Sequence, residues 1–354
     1  MRVIVVGGGV IGCATALALA DRGAEVRVLE RAAVGAEASS AAAGILGAQM
    51  EAHENAPLLS LFVHARAEYP AWAEALRART GVDIAHRVTG GLRVALADED
   101  MAALAREVAW QRGHGLRAEL VDRRGAREIE PALAEGVLAG AHYPDESQVD
   151  PRALVRALAV ALSRPFPQGG RVTVRTGTTA KRLVMERGRC VGAETDGGEE
   201  RGDAIVLAAG SWSSLLPGVP PEMPEVRPAR GQMILLEEQP PRLQTILFGP
   251  GAYVVPRGDG RVLCGSTFEL VGYRRGVTAG GVHAILSGAL SLVPSFAAAS
   301  LASTWSSFRP FVGEHPPLMG TSPLPGLFLA TGHNRNGILL AKVTAEAVTR
   351  AIFS

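Results

Sequence analysis

The sequence predicts an α/β protein: a parallel-sheet domain assembled from separated segments, with an α+β second domain on a discontinuous, mainly antiparallel sheet. Three observations lead there. Short apolar runs that end on glycine recur at the beginning, middle and end of the chain: Val3–Val6 before Gly7, Ala204–Ala209 before Gly210, and Leu327–Thr331 before Gly332. Continuous apolar runs of this kind suit strands buried on both faces. The stretches between them, near 80–142 and 219–312, are rich in short strand patterns and turn dipeptides. A length of 354 residues suggests about two domains. With no flexible linker in view, the expected division is 1–79, 143–218 and 313–354 for the first domain, and 80–142 and 219–312 for the second.

Bulk composition narrows the function. Hydrophobic residues make up 47% and charged residues 20%, which excludes wholesale disorder. Lys+Arg 36 against Asp+Glu 35 leaves a net charge of +1, so no general field attracts nucleic acid or an anionic membrane, and aromatics at 5% argue against base-stacking surfaces. Cys13, Cys190 and Cys264 have no paired spacing, so neither a disulfide framework nor a zinc site is expected; a reducing cytoplasm is. No apolar run reaches the roughly 18 residues of a transmembrane span. Met1-Arg2 with Val10-Ile11-Gly12-Cys13 imitates a secretion signal, but Gly7, Gly8, Gly9 and Gly12 interrupt its apolar region.

Taken in order, the elements begin with strand Val3–Val6, which runs into Gly7-x-Gly9-x-x-Gly12. A helix is expected from Cys13 to Asp21, then a strand from Glu25 to Leu29 ending at Glu30. Strand, glycine turn, helix, strand and acid form the Rossmann-like dinucleotide-binding order. Gly7 permits the tight turn, Gly9 the close approach of a pyrophosphate, and Gly12 the packing of helix on sheet, while the helix N-terminus offers N–H groups to phosphate. Glu30 would accept hydrogen bonds from both ribose hydroxyls. The fingerprint leaves FAD and NAD open; the small residues from Ser39 to Gly47, through Ser40, Ala43, Gly44 and Ile45, favour backbone lying against a large cofactor.

Farther along, Asp83–Leu96 reads as two short strands broken at Gly90-Gly91. Asp98 is the expected N-cap of a helix reaching Gly113. Asp150-Pro151 starts a helix whose apolar stripe is Ala153, Leu154, Ala157, Leu158, Ala161 and Leu162. Arg171–Glu200 has the rhythm of a β-meander and Arg230–Ser266 is strand-rich. A helix from Ala341 to Ile352 follows the Gly332–Gly337 turn.

The glycine turn, Ser39–Gly47, the run Val206-Leu207-Ala208-Ala209-Gly210-Ser211-Trp212, and Gly332-His333-Asn334-Arg335-Asn336-Gly337-Ile338-Leu339-Leu340-Ala341 together resemble the D-amino acid oxidase family of flavoproteins, and within it the glycine oxidase branch associated with thiamine thiazole biosynthesis. The resemblance runs from residue 1 to about 350. It implies a non-covalent FAD on the first domain, and a second domain that binds substrate. It implies oxidative deamination of glycine or another small amine or D-amino acid, with hydride passing to the flavin and dioxygen yielding hydrogen peroxide. Passing electrons to quinone, as a D-amino acid or D-proline dehydrogenase would, is the alternative enzyme. A non-catalytic flavoprotein subunit is the alternative from another class. Self-association is left open.

On the same grounds, cofactor contacts are expected from Gly7, Gly9, Val10, Ile11, Gly12, Glu30, Arg31, Ser39, Ser40, Ala43, Gly44, Ile45, Ala180, Ala209, Gly210 and Trp212. More are expected along the late turn, from Gly332, His333, Asn334, Arg335, Asn336, Gly337, Ile338 and Leu339. His333 and its glycines would direct N–H groups at the flavin pyrimidine oxygen. The carboxylate of the substrate would meet Arg309, from an Arg-Pro pair, with Tyr253 and Arg335 beside it; Arg has the planar fork this needs. An Arg tying down a strand end, a Tyr in a sheet core and an Arg on the flavin ring are the rival readings. Ile45 and Phe268 are expected to set the pocket's volume. Lys342 stands where the branch usually has proline, so a local change in helix start is expected. His53, His64, His86, His114, His142, His283 and His315 show no metal-ligand spacing, and no metal is expected.

Overall fold

Glycine-terminated apolar runs become the centre of a six-stranded sheet. In the computed structural model, which describes residues 1–51 and 56–354 and so leaves His53 outside the described residues, the order is Leu318–Thr321, Leu327–Thr331, Ala204–Leu207, Arg2–Val6, Glu25–Leu29 and Arg171–Arg175. All neighbours run parallel except the edge strand Leu318–Thr321. Helices Val10–Asp21, Pro151–Leu162 and Ala341–Phe353 cover the sheet and share one apolar core with it. The expected stripe on Pro151–Leu162 is buried throughout, and the Asp150 carboxylate caps that helix by accepting from the N–H groups of Arg152 and Ala153.

The intervening segments build an eight-stranded sheet. Its order is Ser300–Phe311, Arg227–Glu237, Arg261–Gly265, Ala252–Pro256, Ile246–Gly249, Gly91–Ala95, Ala139–Tyr143 and Glu119–Asp122. Its neighbours are antiparallel except Ile246–Gly249 against Gly91–Ala95, the pair that joins strands from the two insertions. Helix Ala279–Leu292 packs its Ile285, Ala289 and Leu292 onto one face beside Ile234, Val254 and Cys264. The other face turns toward the parallel sheet.

Two local expectations are corrected. Arg171–Arg175 is not part of the meander; it pairs in parallel with Glu25–Leu29, and the antiparallel meander is Ala180–Glu186, Arg189–Thr195 and Gly198–Arg201. Alternation marks a strand but not its partner. Ala97, not Asp98, is the cap of helix Asp98–Gly113, because the Asp100 carboxylate folds back to accept from the N–H groups of Leu96 and Ala97, both at 3.1 Å. The last helix starts at Ala341 as expected, and the Lys342 ammonium donates to Glu68 and Glu346. Among the described residues no helix is long and apolar enough to cross a membrane.

Asp150→Ala should destabilise the protein by about 1 kcal/mol, the usual value of a lost N-cap. Urea denaturation of the two proteins measures the difference; equal midpoints would show that Pro151 alone starts the helix.

Candidate active site

Four parallel strands end their carboxyl edges side by side, at Val6, Leu29, Leu207 and Thr331, where ligands of open α/β sheets bind. A groove runs along this edge and under the inner face of the eight-stranded sheet. Its outer stretch is lined by Gly7, Gly9, Glu30, Arg31, Ser39, Ala180, Ala209, Gly210 and Trp212. The deeper stretch continues from Gly9 and Ser39 to Val10, Ile11, Ala43, Gly44, Ile45, His333, Asn334, Arg335, Gly337 and Ile338. Tyr253 and Arg309 face its far end.

The first strand and helix meet through backbone. Gly7 has φ +109°, and a Cβ there would lie 2.3 Å from the Ala208 carbonyl oxygen; a Cβ on Gly12 would lie 1.9 Å from that of Gly7. The Glu30 carboxylate accepts one backbone N–H on each oxygen, from Gly8 at 2.7 Å and Ala32 at 2.8 Å. Each oxygen keeps a further lone pair for the groove. Ser39 Oγ accepts from the N–H of Val10 at 2.9 Å, placing an oxygen at the helix N-terminus where an anion would be favoured. The Arg31 guanidinium lies 3.8 Å over Trp212, whose other stacking partner is Tyr273.

The sheet face is read by period two. Across neighbouring strands, Trp305 pairs with Met233, Met233 with Gly265 and Gly265 with Tyr253; two residues along, Ser307 pairs with Gly231, and beyond it Arg309 with Ala229. These residues therefore share one face. Two glycines clear it: a Cβ on Gly231 would stand 2.2 Å from Arg309 Nη1, and one on Gly265 2.6 Å from Tyr253 Oη. Arg309 donates to the Thr267 carbonyl at 3.1 Å and to Ser266 Oγ at 2.6 Å. The Tyr253 hydroxyl donates to Met233 Sδ at 3.2 Å, and its ring stacks on Phe248. Trp305 Nε1 donates to the Ala41 carbonyl and Arg257 to that of Ala43, so the small-residue loop is held against this sheet.

Some of the expected residues lie outside this lining. Gly12, Ser40, Gly332, Asn336 and Leu339 are not among the residues lining the groove. Gly12 is spent on helix–strand packing, the Ser40 carbonyl accepts from Arg152, and Leu339 is buried in the core. His333 lines the deep groove; its Nε2 hydrogen-bonds Thr344 Oγ1 at 2.9 Å, and burial pushes the ring's pKa down to about 3, so it is neutral. The N–H groups of Asn334 and Asn336 go to the carbonyls of Pro310 and His333. Ile45 lines the deep groove, whereas Phe268 stands half-exposed at its mouth.

Sequence reasoning missed Gly231, Met233, Gly265, Ser307 and Glu51. Glu51 lines the deep groove, and its Oε2 lies 3.2 Å from Arg335 Nε. No motif marks it. Among the described residues no cluster of His, Cys, Asp and Glu could hold a metal ion.

A family model described as FAD dependent oxidoreductase (DAO) matches residues 2–351. The chain is 37% identical over 353 residues to a glycine oxidase of Geobacillus kaustophilus, covering 98% of this chain and 91% of that protein. It is 35% identical over 355 residues to a bifunctional ThiO/ThiG protein of Nostoc, of which it spans about half (52%) and which covers 99% of this chain. A crystal structure of glycine oxidase from Geobacillus kaustophilus superposes with a TM-score of 0.94 at 36% identity, covering 99% of this chain and 95% of that one.

Behind Glu51, Glu146 is fully buried, with Oε1 accepting from Arg66 at 2.8 Å and from the N–H of Gln49 at 2.7 Å. Burial outweighs the Arg66 pairing and pushes the carboxyl from its ordinary 4.5 to about 7. The folded state then holds this proton more tightly than the unfolded chain. Its contribution to stability is full below about pH 4.5 and is lost as pH rises through about 7. Unfolding free energies of wild type minus Glu146→Gln should therefore fall between those pH values. A pH-independent difference would show that Glu146 is ionised in the fold throughout.

Proposed function

The chain belongs to the FAD-dependent oxidoreductase (DAO) family, and from that premise we propose that it oxidatively deaminates glycine or a comparably small amino acid, on a site formed by Arg309, Tyr253 and Arg335 beside the cofactor groove. One observation carries the reading: three side chains able to hold a carboxylate, from three separate elements, converge on the deep end of that groove. We further assign cofactor binding to the segments along the carboxyl edge, and substrate binding to the eight-stranded sheet.

The groove fits a dinucleotide of this kind. Gly7 and Gly9 leave backbone bare at the turn, the N-terminus of helix Val10–Asp21 lies on the groove, and Glu30 holds a carboxylate at the strand end. When bound, FAD supplies the two-electron acceptor for hydride from the substrate Cα and returns the electrons to dioxygen as hydrogen peroxide. No cysteine lines the groove, which supports non-covalent binding. Three buried, unpaired cysteines also support a reducing, cytoplasmic setting.

The residues of this chain bind and orient. Arg309 commits one N–H each to Thr267 and Ser266, which fixes its plane and leaves three of its five N–H groups for a carboxylate. The Tyr253 hydroxyl, resting on a weak sulfur acceptor, can donate to a carboxylate oxygen instead. Fixing the carboxylate fixes where Cα lies, and the sheet face excludes water from it. The amine reacts as its free base; the imine that leaves is hydrolysed to glyoxylate, or another 2-oxo acid, and ammonia.

Acid precipitation of the purified protein should release FAD, and Glu30→Ala should weaken FAD binding by about 1–3 kcal/mol, the range for hydrogen bonds to a charged group. Glycine KM in saturating FAD should hold; a raised KM at normal FAD affinity would place Glu30 on the substrate. Arg309→Ala should lower kcat/KM for glycine by about 30- to several-thousand-fold, since losing one partner of a buried pair costs about 2–5 kcal/mol. Arg309→Lys should fall between, with flavin content near wild type in both. Peroxide assayed over an amino-acid panel checks the activity, and an equal loss for amines without a carboxylate would make Arg309 structural.

A further inference from the structure

Among the described residues, Glu51 is the acidic one that lines the deep groove together with Tyr253, Arg309 and Arg335. Its side chain is only 10% exposed, and Oε2 sits 3.2 Å from Arg335 Nε. Resting on the proposed oxidation of amino acids, we propose that Glu51 is a specificity-determining residue: its charge offsets that of Arg335, whose Nε it faces, and leaves Arg309 as the arginine of the site that faces no acid, so the site takes monocarboxylates and rejects a substrate with a second carboxylate.

Position alone would not make this a filter, because a mobile Glu could swing aside. The segment that carries it is clamped. Gln49 donates its N–H to Glu146, and its carbonyl accepts from Gln111 Nε2 at 3.0 Å. Arg66 bridges Glu146 and the Gln49 side chain at 2.8 and 2.9 Å, and Gln49 Nε2 reaches Gln111 Oε1 at 2.9 Å. Arg93 donates to the Met50 carbonyl. The Glu51 N–H itself bonds the Gly47 carbonyl at 3.2 Å, and a Cβ on Gly47 would come within 3.0 Å of Glu51 Cγ. These contacts hold the chain on either side of Met50 and aim the carboxylate at Arg335.

Charge then decides the outcome. A carboxylate this far from water acts through a lower effective dielectric than bulk solvent, so it repels a second anion strongly at short range. Removing its charge does two things at once. The repulsion goes, and the charge of Arg335 is no longer offset, so its fork can hold a second carboxylate, the partner it fits best.

The test uses the holoenzyme and non-oxidisable probes, so that it does not rest on turnover. Acetate, malonate and succinate are titrated against the flavin absorbance of wild type, Glu51→Gln, and the double variant Glu51→Gln with Arg335→Ala. The ratio of dicarboxylate to acetate affinity should rise at least tenfold in Glu51→Gln and return toward the wild-type ratio in the double variant. Peroxide formation from glycine and from N-carboxymethylglycine should shift its kcat/KM ratio toward the diacid in the same single variant. An unchanged affinity ratio overturns the proposal, as does a gain that survives loss of Arg335, since Arg335 would then not be the released anchor. If none of the three probes perturbs the flavin and glycine gives no peroxide, the oxidase reading itself falls, and this inference with it.

Discussion

A Cβ on Gly12 would stand 1.9 Å from the Gly7 carbonyl oxygen, and one on Gly7 2.3 Å from that of Ala208, so three pieces of backbone meet here with no side chain between them. That contact sets helix Val10–Asp21 directly on the parallel sheet and brings its N-terminus to the carboxyl edge. Glu30 ends the next strand close by, where a Cβ on Gly8 would touch its side chain. The turn after Thr331 closes the same edge from the far end of the chain. The groove is what remains when four strand ends must lie together and one helix can come no closer.

The second wall follows from a different rule. Strand pairing puts Trp305, Ser307 and Arg309 on the same face as Gly231, Met233, Gly265 and Tyr253. The large groups stand where glycines opposite them leave space, so the face is neither flat nor filled. Its charged head, Arg309, is tied to backbone and hydroxyl rather than to an acid, while Arg335 faces the Glu51 carboxylate at 3.2 Å. The two arginines are thus electrostatically unequal, although the chain offers both to one cavity.

How much of this could be read beforehand depended on distance along the chain. The glycine turn, the helix start at Asp150 and the acid at Glu30 were legible because each pattern and its physical cause lie within some thirty residues. Arg309 and Tyr253 were picked out by resemblance; the structure sets both on the groove face, and nothing in their local sequence says that they should share it. Gly231, Gly265 and Glu51 were not legible at all. Their meaning lies in a partner: Arg309 is 78 positions beyond Gly231, and Arg335 is 284 beyond Glu51. Arg171–Arg175 was misplaced for the same reason, since an alternating strand does not announce its neighbour. The hydrogen bond of the His333 ring to Thr344 was not legible either, since that partner lies eleven residues on in the next helix.

The pairing of Arg2–Val6 with Ala204–Leu207, and of that strand with Leu327–Thr331, bears on how the molecule is made. A ribosome delivers the central strand first and its second neighbour some two hundred residues later. During that interval the apolar strand has one partner, Glu25–Leu29, and an open edge of unpaired amides. Contacts of such long sequence separation also slow the final closure. The nascent chain therefore carries this unpaired edge while some two hundred residues are made, an interval in which the strand is open to pairing with another chain.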